Sequence, residues 1–450
     1  MSGTLVGGLV VTIFIVAYAF LVWQEKNHLP KSVPMLVAAG LIGLSTILIY
    51  NQEGKADIAV MWIEYFFLDA AFIFFFLVCA MIFVHVAEER RVFDAVSSRM
   101  EQGGWSYRKI FWVTGSAAFV VSPVADNMAT ALIFGSVFLA SVVAVKTVTT
   151  AQSSDNDRAI LVGCINIIAA ANAGGAFSPF GDVTTLMAWE AGVLPFWTFF
   201  NLIPGSLVQW FSLAFMLVWF VPKGTVATTG AKAVHMKRGA KRVICIFILS
   251  IAFAVAGKQL FHTPAAFGML LGVGILKAFC YYMDIRSAQD TPFHAMKQTQ
   301  RVEWDTLLFI VGVVLAIQCL AFLGFGAALS GIAYGAWGPL TQEEATTFAN
   351  IGVGVISSLI DNVPVMQSVL SLRPDMSAWQ WLLVTYTTGT GGSMLAIGSL
   401  AGVALMGHEK AKGILTFKSY LKFTPFVFLS YLLGAGAHYV YAVWFAPHLF

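Results

Sequence analysis

Charge is what this sequence has least of. Only 11% of its 450 residues are Asp, Glu, Lys or Arg, while 58% are hydrophobic; a soluble chain carries about 25% charged residues. The deficit excludes a soluble globular protein, and no polar stretch is long enough for a separate soluble domain. Paired cysteines are also missing. Cys79, Cys164, Cys245, Cys280 and Cys319 all sit in apolar runs with no CxxC pair, so they read as small packing residues rather than a redox or zinc motif. There is no HExxH sequence, and neither GKT nor GKS follows the glycine-rich GTGGS at 389–393, which excludes a metalloprotease helix and a phosphate loop. Basic residues are scattered through short loops instead of forming a patch for nucleic acid.

What remains is long apolar runs. A spanning helix needs roughly 20 mostly apolar residues, and ten candidate runs follow one another: 4–23, 33–50, 65–86, 159–189, 196–221, 243–257, 264–283, 306–324, 380–407 and 420–445. The first is too long for a signal-peptide core and has no basic leader, so it is expected to be retained. Two further runs fit one crossing poorly. Residues 110–145 are too many and are broken by Pro123, and 345–371 are interrupted by Asp361, Asn362 and Pro364. Each is expected to be a re-entrant hairpin that dips into the bilayer and returns.

Loop charge tests that expectation, because Lys and Arg concentrate in short cytoplasmic loops. With the N-terminus outside and neither hairpin crossing, every Lys and Arg except Lys55, Lys258 and Arg373 falls on the inner side. If the first hairpin crossed, the basic 222–242 loop would lie opposite the basic 88–109 loop, and the bias would collapse. The expected fold is therefore an all-α polytopic membrane protein with about ten transmembrane helices and two re-entrant hairpins. Five crossings precede the 222–242 loop and five follow it, which predicts two inverted repeats, 1–221 and 243–450, joined by a basic cytoplasmic linker at 222–242. The first repeat carries the hairpin 110–145 and a broken helix 159–192; the second carries the hairpin 345–371 and a broken helix 378–407. Secondary transporters are built this way, with the substrate site where the repeats meet.

Four polar interruptions carry the chemistry: SPVADNMAT at 122–130, NAGGAFSPFGDVTT at 172–185, SSLIDNVP at 357–364 and TTGTGGSMLAIGSLAG at 387–402. A broken helix aims unpartnered carbonyls and the negative end of its dipole into the gap. Carboxylate, amide and hydroxyl oxygens add hard ligands suited to a hard cation. Two groups follow: Ser122, Asp126, Asn127 and Thr130 facing Asn172, Asp182, Thr184 and Thr185; and Ser358, Asp361 and Asn362 facing Thr390, Ser393 and Ser399. The ionisable residues read at membrane depth are Asp69, Asp126, Asp182, Glu190 and Asp361, with His85 near an inner helix end. Each costs roughly 2.5–3.5 kcal/mol to insert at mid-helix. No Lys or Arg sits at that depth to neutralise them, so a carboxyl there holds either a proton or a cation, and exchange between the two is a transport mechanism. A bland reading makes Asp126 and Asp361 mere caps of the second hairpin arm, but capping does not require a carboxylate at so costly a depth. Asp69, Glu190 and His85 lie near span ends, where interfacial water can reach them.

The motifs SPVADNMATALI, GGAFSPFGDVTTLMAW, SSLIDNVPV and GTGGSMLAIGSLAGVALMG resemble those of NhaD-type sodium/proton antiporters. These belong to an ion transporter superfamily, the arsenite- and NhaD-like fold, that also contains anion and dicarboxylate carriers. The resemblance covers most of the chain from about Asp69 onward. It implies a homodimer in a bacterial inner membrane, each protomer with a scaffold part and a transport part that moves elevator-fashion. It also implies that Asp126, Asn127, Asp182, Thr184, Thr185, Asp361, Asn362, Ser393 and Ser399 occupy family site positions, with Ser122, Thr130, Asn172, Ser358 and Thr390 in support.

The expected activity is exchange of Na+, with Li+ as an alternative cation, for H+ across the bilayer, with no cofactor and no enzymatic step. A sodium-coupled anion or dicarboxylate carrier is the nearest rival; three deep aspartates without a deep Lys or Arg argue against it. An intramembrane aspartyl protease is a second. PFGD at 179–182 lacks the first glycine of the GxGD pattern, and no YD motif precedes it.

Overall fold

The apolar runs fold as helices of membrane-spanning length. In a computed structural model of the chain, which describes residues 2–22, 29–92, 95, 105–143, 150–224, 234–286, 300–335 and 339–449, the described residues form helices and turns without a β-strand. Among them, eight helices are long and apolar enough to cross a membrane, and Gly7–Leu21 and Asn127–Val142 are shorter apolar helices. The protein is a multi-pass membrane protein. Trp23, residues 144–145 of the first hairpin run, residues 225–233 of the 222–242 loop, and the loop cations Lys26, Arg99, Lys146, Lys232 and Lys297 lie outside the described residues.

In chain order the helices are α1 (Ser2–Val22), α2 (Ser32–Gln52), α3 (Ala56–Glu89), α4 (Tyr107–Ala125), α5 (Asn127–Val143), α6 (Thr150–Gly175), α7 (Val183–Glu190) and α8 (Ile203–Leu217). They continue with α9 (Ala240–Phe261), α10 (Ala265–Arg286), α11 (Trp304–Phe322), α12 (Phe325–Tyr334), α13 (Gln342–Leu359), α14 (Asn362–Leu372), α15 (Ala378–Gly391), α16 (Leu400–Gly407), α17 (Phe417–Leu421) and α18 (Thr424–Phe445). Short 3-10 turns flank α8 and follow α15. The run expected at 65–86 is longer as a helix: Gly54, at φ 71°, turns the chain, and nothing between Ala56 and Tyr65 stops the helix that follows.

The chain divides into two compact units. The first comprises Met1–His85, Cys245–Thr346 and Val363–Asp375. Here α2 lies along α11, where a Cβ on Gly312 would stand 2.9 Å from the Met35 backbone, so only glycine permits this approach. Asp305 accepts from the main-chain nitrogens of Lys31 (3.1 Å) and Ser32 (3.2 Å), capping the start of α2. Tyr50 stacks on Phe322 at 4.7 Å, with Trp62 and Phe66 against the same ring.

The second unit comprises Val86–Ile244, Thr347–Asn362 and Met376–Phe450. Its centre is α6, whose apolar window is 89% buried against 17% for that of α9. Helices α4, α5 and α8 pack on α6, and α16 packs on α5. Tyr386 of α15 donates to Gln209 Oε1 of α8 at 2.5 Å, and Tyr431 of α18 donates to the Ile351 carbonyl of α13 at 2.8 Å. In a nonpolar interior each such bond satisfies groups that would otherwise be costly to bury. Every candidate site residue lies in this unit.

Candidate cation and proton site

Two helix interruptions form the site, and they are built alike. Helix α6 stops at Gly175, since the GGAFSPF run puts Pro179 where the ladder would continue. The chain turns through Ser178, whose carbonyl accepts from Gly181 N at 2.9 Å, and restarts as α7 behind Asp182. Asp182 is the N-cap: its backbone is extended (φ −141°, ψ 137°), and Oδ1 accepts from Thr184 N at 3.1 Å. In the other interruption α15 runs out through the 3-10 turn Gly392–Met394, and α16 restarts behind Ser399. Ser399 has nearly the same backbone (φ −143°, ψ 152°), and its Oγ accepts from Gly402 N at 3.3 Å.

Each interruption is crossed by a break of the kind expected for a hairpin tip. Asp126 separates α4 from α5 with φ 56°, an uncommon conformation for a residue with a side chain. Asn127 N then donates to the Gly181 carbonyl at 3.0 Å. Asp361 stands likewise between α13 and α14, and Asn362 opens α14. A Cβ on Gly181 would meet Ser122 O at 2.6 Å, and one on Gly398 would meet Ser358 O at 2.6 Å, so glycine lets backbone cross backbone at both places. Ser122 donates to the Ala171 carbonyl (2.6 Å) and Ser357 to that of Thr388 (2.7 Å), fastening each break to the helix it crosses.

The two residue groups read from the sequence are joined by side chains that reach across. Asn172 Nδ2 donates to Ser393 Oγ (2.8 Å) and Ser399 Oγ (3.0 Å), and Asn362 Nδ2 donates to Asp182 Oδ1 (3.3 Å). The Asp361 and Asp182 carboxyls interact electrostatically. Asp182, Asp361, Asn127, Asn172, Asn362, Thr130, Thr184, Thr185, Thr390, Ser122, Ser358, Ser393 and Ser399 are all buried, whereas Asp126 is half-buried. Hydroxyls of Thr185 (to Ala176 O, 2.9 Å), Ser358 (to Val355 O, 2.7 Å) and Thr390 (to Tyr386 O, 2.7 Å) donate to carbonyls and hold the helix ends.

Four buried side-chain oxygens of the cluster have no hydrogen-bond partner among the described residues: Asp182 Oδ2, Thr184 Oγ1, Asn172 Oδ1 and Thr130 Oγ1. Two of these converge. A Cβ built on Gly389 of α15 would stand 2.6 Å from Asp182 Oδ2 and 3.1 Å from Thr184 Oγ1. Buried oxygens without donors are costly unless something positive meets them. The donor set is one carboxylate with neutral oxygens, which suits a hard monovalent or divalent ion, or a proton on the carboxyl. Among the described residues no three His, Cys, Asp or Glu side chains converge, so this is not the donor set of a transition metal.

Asp69 lies in the first unit, where Gln318 Nε2 approaches its Oδ2 at 3.4 Å; Glu190, at the end of α7, and His85, at the end of α3, are half-buried. Three residues escaped sequence reasoning. Gly389 was hidden in a glycine-rich string, and nothing local marks it as a wall of the site. Tyr420 donates to the Ser393 carbonyl at 2.5 Å and steadies the second interruption. His438, fully buried in α18, contacts the Trp379 carbonyl at 3.4 Å; an imidazole inside an apolar run was the available signal.

Comparison with known proteins agrees with this architecture. Residues 11–389 match a family profile described as citrate transporter. The chain is 38% identical to the Na(+)/H(+) antiporter NhaD of Alkalimonas amylolytica over 100% of its own length and 93% of the relative's. It is 39% identical to that of Vibrio cholerae serotype O1 over 96% and 91%, and 41% identical to that of Vibrio parahaemolyticus over 89% and 97%. Matches of that extent leave no large part of the chain unaccounted for: it belongs to the citrate transporter family and, within it, to the NhaD-type sodium/proton antiporters.

Proposed function

We propose that this protein exchanges Na+ for H+ across a bacterial inner membrane by alternating access, with Na+ and the proton competing for buried carboxyls of the second unit. One observation carries the reading: Asp182 Oδ2 and Thr184 Oγ1, both buried and without hydrogen-bond partners, converge beside Gly389. The full-length likeness to bacterial proteins named as Na(+)/H(+) antiporters supports the same cargo. Antiporters are transporters, not enzymes.

In this reading Asp182 binds the cation with Thr184, and Asn362 steadies its other oxygen. Asp361 and Asp126 carry or relay charge at the two tips. The remaining predicted residues (Asn127, Thr185, Ser393 and Ser399, with Ser122, Thr130, Asn172, Ser358 and Thr390) complete and brace the broken helices. The like construction of the two interruptions supports inverted repeats, and the division into two units supports a scaffold and a moving part of an elevator. Homodimerisation and Li+ transport complete the proposal.

The test is proton movement in proteoliposomes or energised everted vesicles as Na+, Li+ or K+ is added. Na+ and Li+ are expected to dissipate the proton gradient. Absence of that flux, with sodium uptake driven instead by citrate or another carboxylate anion, would establish the anion-carrier rival and overturn this proposal.

A further inference from the structure

The two interruptions share a register. Residues 174–185 and 391–402 pair one to one: Gly175 with Gly392, Gly181 with Gly398, and the N-cap Asp182 with the N-cap Ser399. The turns close alike, Gly181 N donating to the Ser178 carbonyl at 2.9 Å and Gly398 N to that of Leu395 at 3.1 Å. The same register matches Ala176 with Ser393 and Thr185 with Gly402.

The matched carbonyls are satisfied from different places. In the first interruption Thr185 Oγ1 donates to the Ala176 carbonyl at 2.9 Å, so the helix that restarts, α7, holds the end of the one that stopped. Gly402 has no hydroxyl with which to do the same, and a Cβ there would run into the Ala396 carbonyl oxygen, so threonine does not fit. The donor comes instead from outside the interruption. Tyr420 OH of α17 reaches the Ser393 carbonyl at 2.5 Å, and Thr424 Oγ1, at the start of α18, reaches that of Met394 at 2.8 Å. Tyr420 is fully buried, although Phe417, Lys418 and Leu421 of the same short helix are exposed. A capping box formed by Thr416 and Ser419 fixes the helix that carries the ring.

The residue held in this way meets the first interruption. Ser393 Oγ accepts from Asn172 Nδ2 at 2.8 Å, and Asn172 lies in the last turn of α6, just before the chain turns toward Asp182. Loss of the Tyr420 hydroxyl would take from a buried carbonyl its donor and release the turn at 392–394, carrying Ser393 Oγ away from Asn172.

We propose that Tyr420, with Thr424 beside it, is a positioning residue for transport: it keeps the second interruption in the register at which Ser393 receives Asn172. The first interruption is braced from within by Thr185, the second from the corner between α17 and α18. This rests on the Na+/H+ reading above and adds two residues that act through Ser393 and Met394 rather than on the ion.

The experiment is the Na+ dependence of proton flux in energised everted vesicles for wild type, Tyr420→Phe and Thr424→Val. Tyr420→Phe deletes one hydroxyl and keeps the ring. It is expected to raise the half-maximal Na+ concentration about fivefold or more while maximal flux at saturating Na+ is retained, and Thr424→Val is expected to act in the same direction. A hydroxyl that only stabilised the fold would change the amount of active protein, and so the maximal flux, without moving the half-maximal concentration. That result for Tyr420→Phe would overturn the inference while leaving Na+/H+ exchange intact. Should Tyr420→Phe fail to fold, Thr424→Val decides by the same criterion. No Na+-driven proton flux from wild type would remove the function reading itself, and the inference with it.

Discussion

Asn362 donates its amide to Asp182 Oδ1 at 3.3 Å, linking the break that follows α13 to the N-cap of α7. The bond joins residues far apart in sequence and leaves Asp182 with one oxygen engaged and the other without a hydrogen-bond partner. Thr184 N also donates to Oδ1. The carboxylate is thus oriented through Oδ1.

Removal of that donor reads out directly. Hydrogen bonds to charged groups contribute about 1.5–3 kcal/mol, so Asn362→Ala is expected to raise the Na+ concentration for half-maximal exchange by roughly tenfold or more. The measurement is the Na+ dependence of proton flux in everted vesicles. An unchanged half-maximal concentration would detach Asn362 from the site.

Asp182→Asn separates charge from capping. Asn caps helices as well as Asp does, so α7 should keep its start and the protein its fold. The lost carboxylate should reduce Na+-driven proton flux at least about a hundredfold, or roughly 3 kcal/mol. Near-normal flux from a correctly folded Asp182→Asn protein would contradict the assignment of Asp182 as the ion-binding carboxylate.

Gly181 tests the backbone crossing. A Cβ there would meet Ser122 O at 2.6 Å and Pro123 Cα at 2.8 Å, neither of which can swing aside. Gly181→Ala is expected to cost about 1–3 kcal/mol or more, as overpacking does, and to lower the thermal midpoint or abolish monodisperse protein. At Gly436 an added methyl group would have nothing within 4 Å, so Gly436→Ala serves as the tolerated control. Equal behaviour of the two variants in size-exclusion chromatography would argue against the crossing.

His408, just beyond α16, supplies a pH test. Lys410 N donates to its Nδ1 at 3.2 Å, so Nε2 carries the ring proton and donates to Ser136 Oγ of α5 at 3.1 Å. Burial, followed by the neighbouring Lys410 charge, lowers its pKa below the ordinary value, while Glu409 opposes that shift. The folded state therefore binds this proton less readily than the unfolded chain. Its contribution to stability is present above about pH 6.5 and is lost as pH falls below that. Thermal midpoints should drop more between pH 7.5 and pH 5 in wild type than in His408→Gln, which keeps a donor for Ser136. Parallel curves would show that His408 does not contribute.

Much of the fold was legible in local sequence. The broken helices expected at 159–192 and 378–407 do break, after Gly175 and Gly391, because glycine and proline strings cannot sustain a ladder. The hairpin runs part at Asp126 and Asp361, where the sequence interrupts its own hydrophobicity. Less legible was the grouping of the polar residues. Sequence proximity assigned Asn172 with Asp182 and Asn362 with Ser399, but Asn172 donates to Ser393 and Ser399, and Asn362 to Asp182. The buried His438 was also missed, because a histidine in an apolar run reads like an interfacial residue until its neighbours are known.

By itself the sequence determined that this protein lives in a membrane, where its helices break and which oxygens those breaks can offer. Those are local properties, set by hydropathy, proline and glycine within one turn or two. Which oxygens remain free was decided only by tertiary structure. Asn172 donates across to Ser393 and Ser399 of the other interruption, while Gly389, bare of a side chain, lets the Asp182 carboxyl pack close against α15. That difference exists only once helices distant in sequence cross, because hydrogen-bond satisfaction belongs to pairs of residues and not to either one.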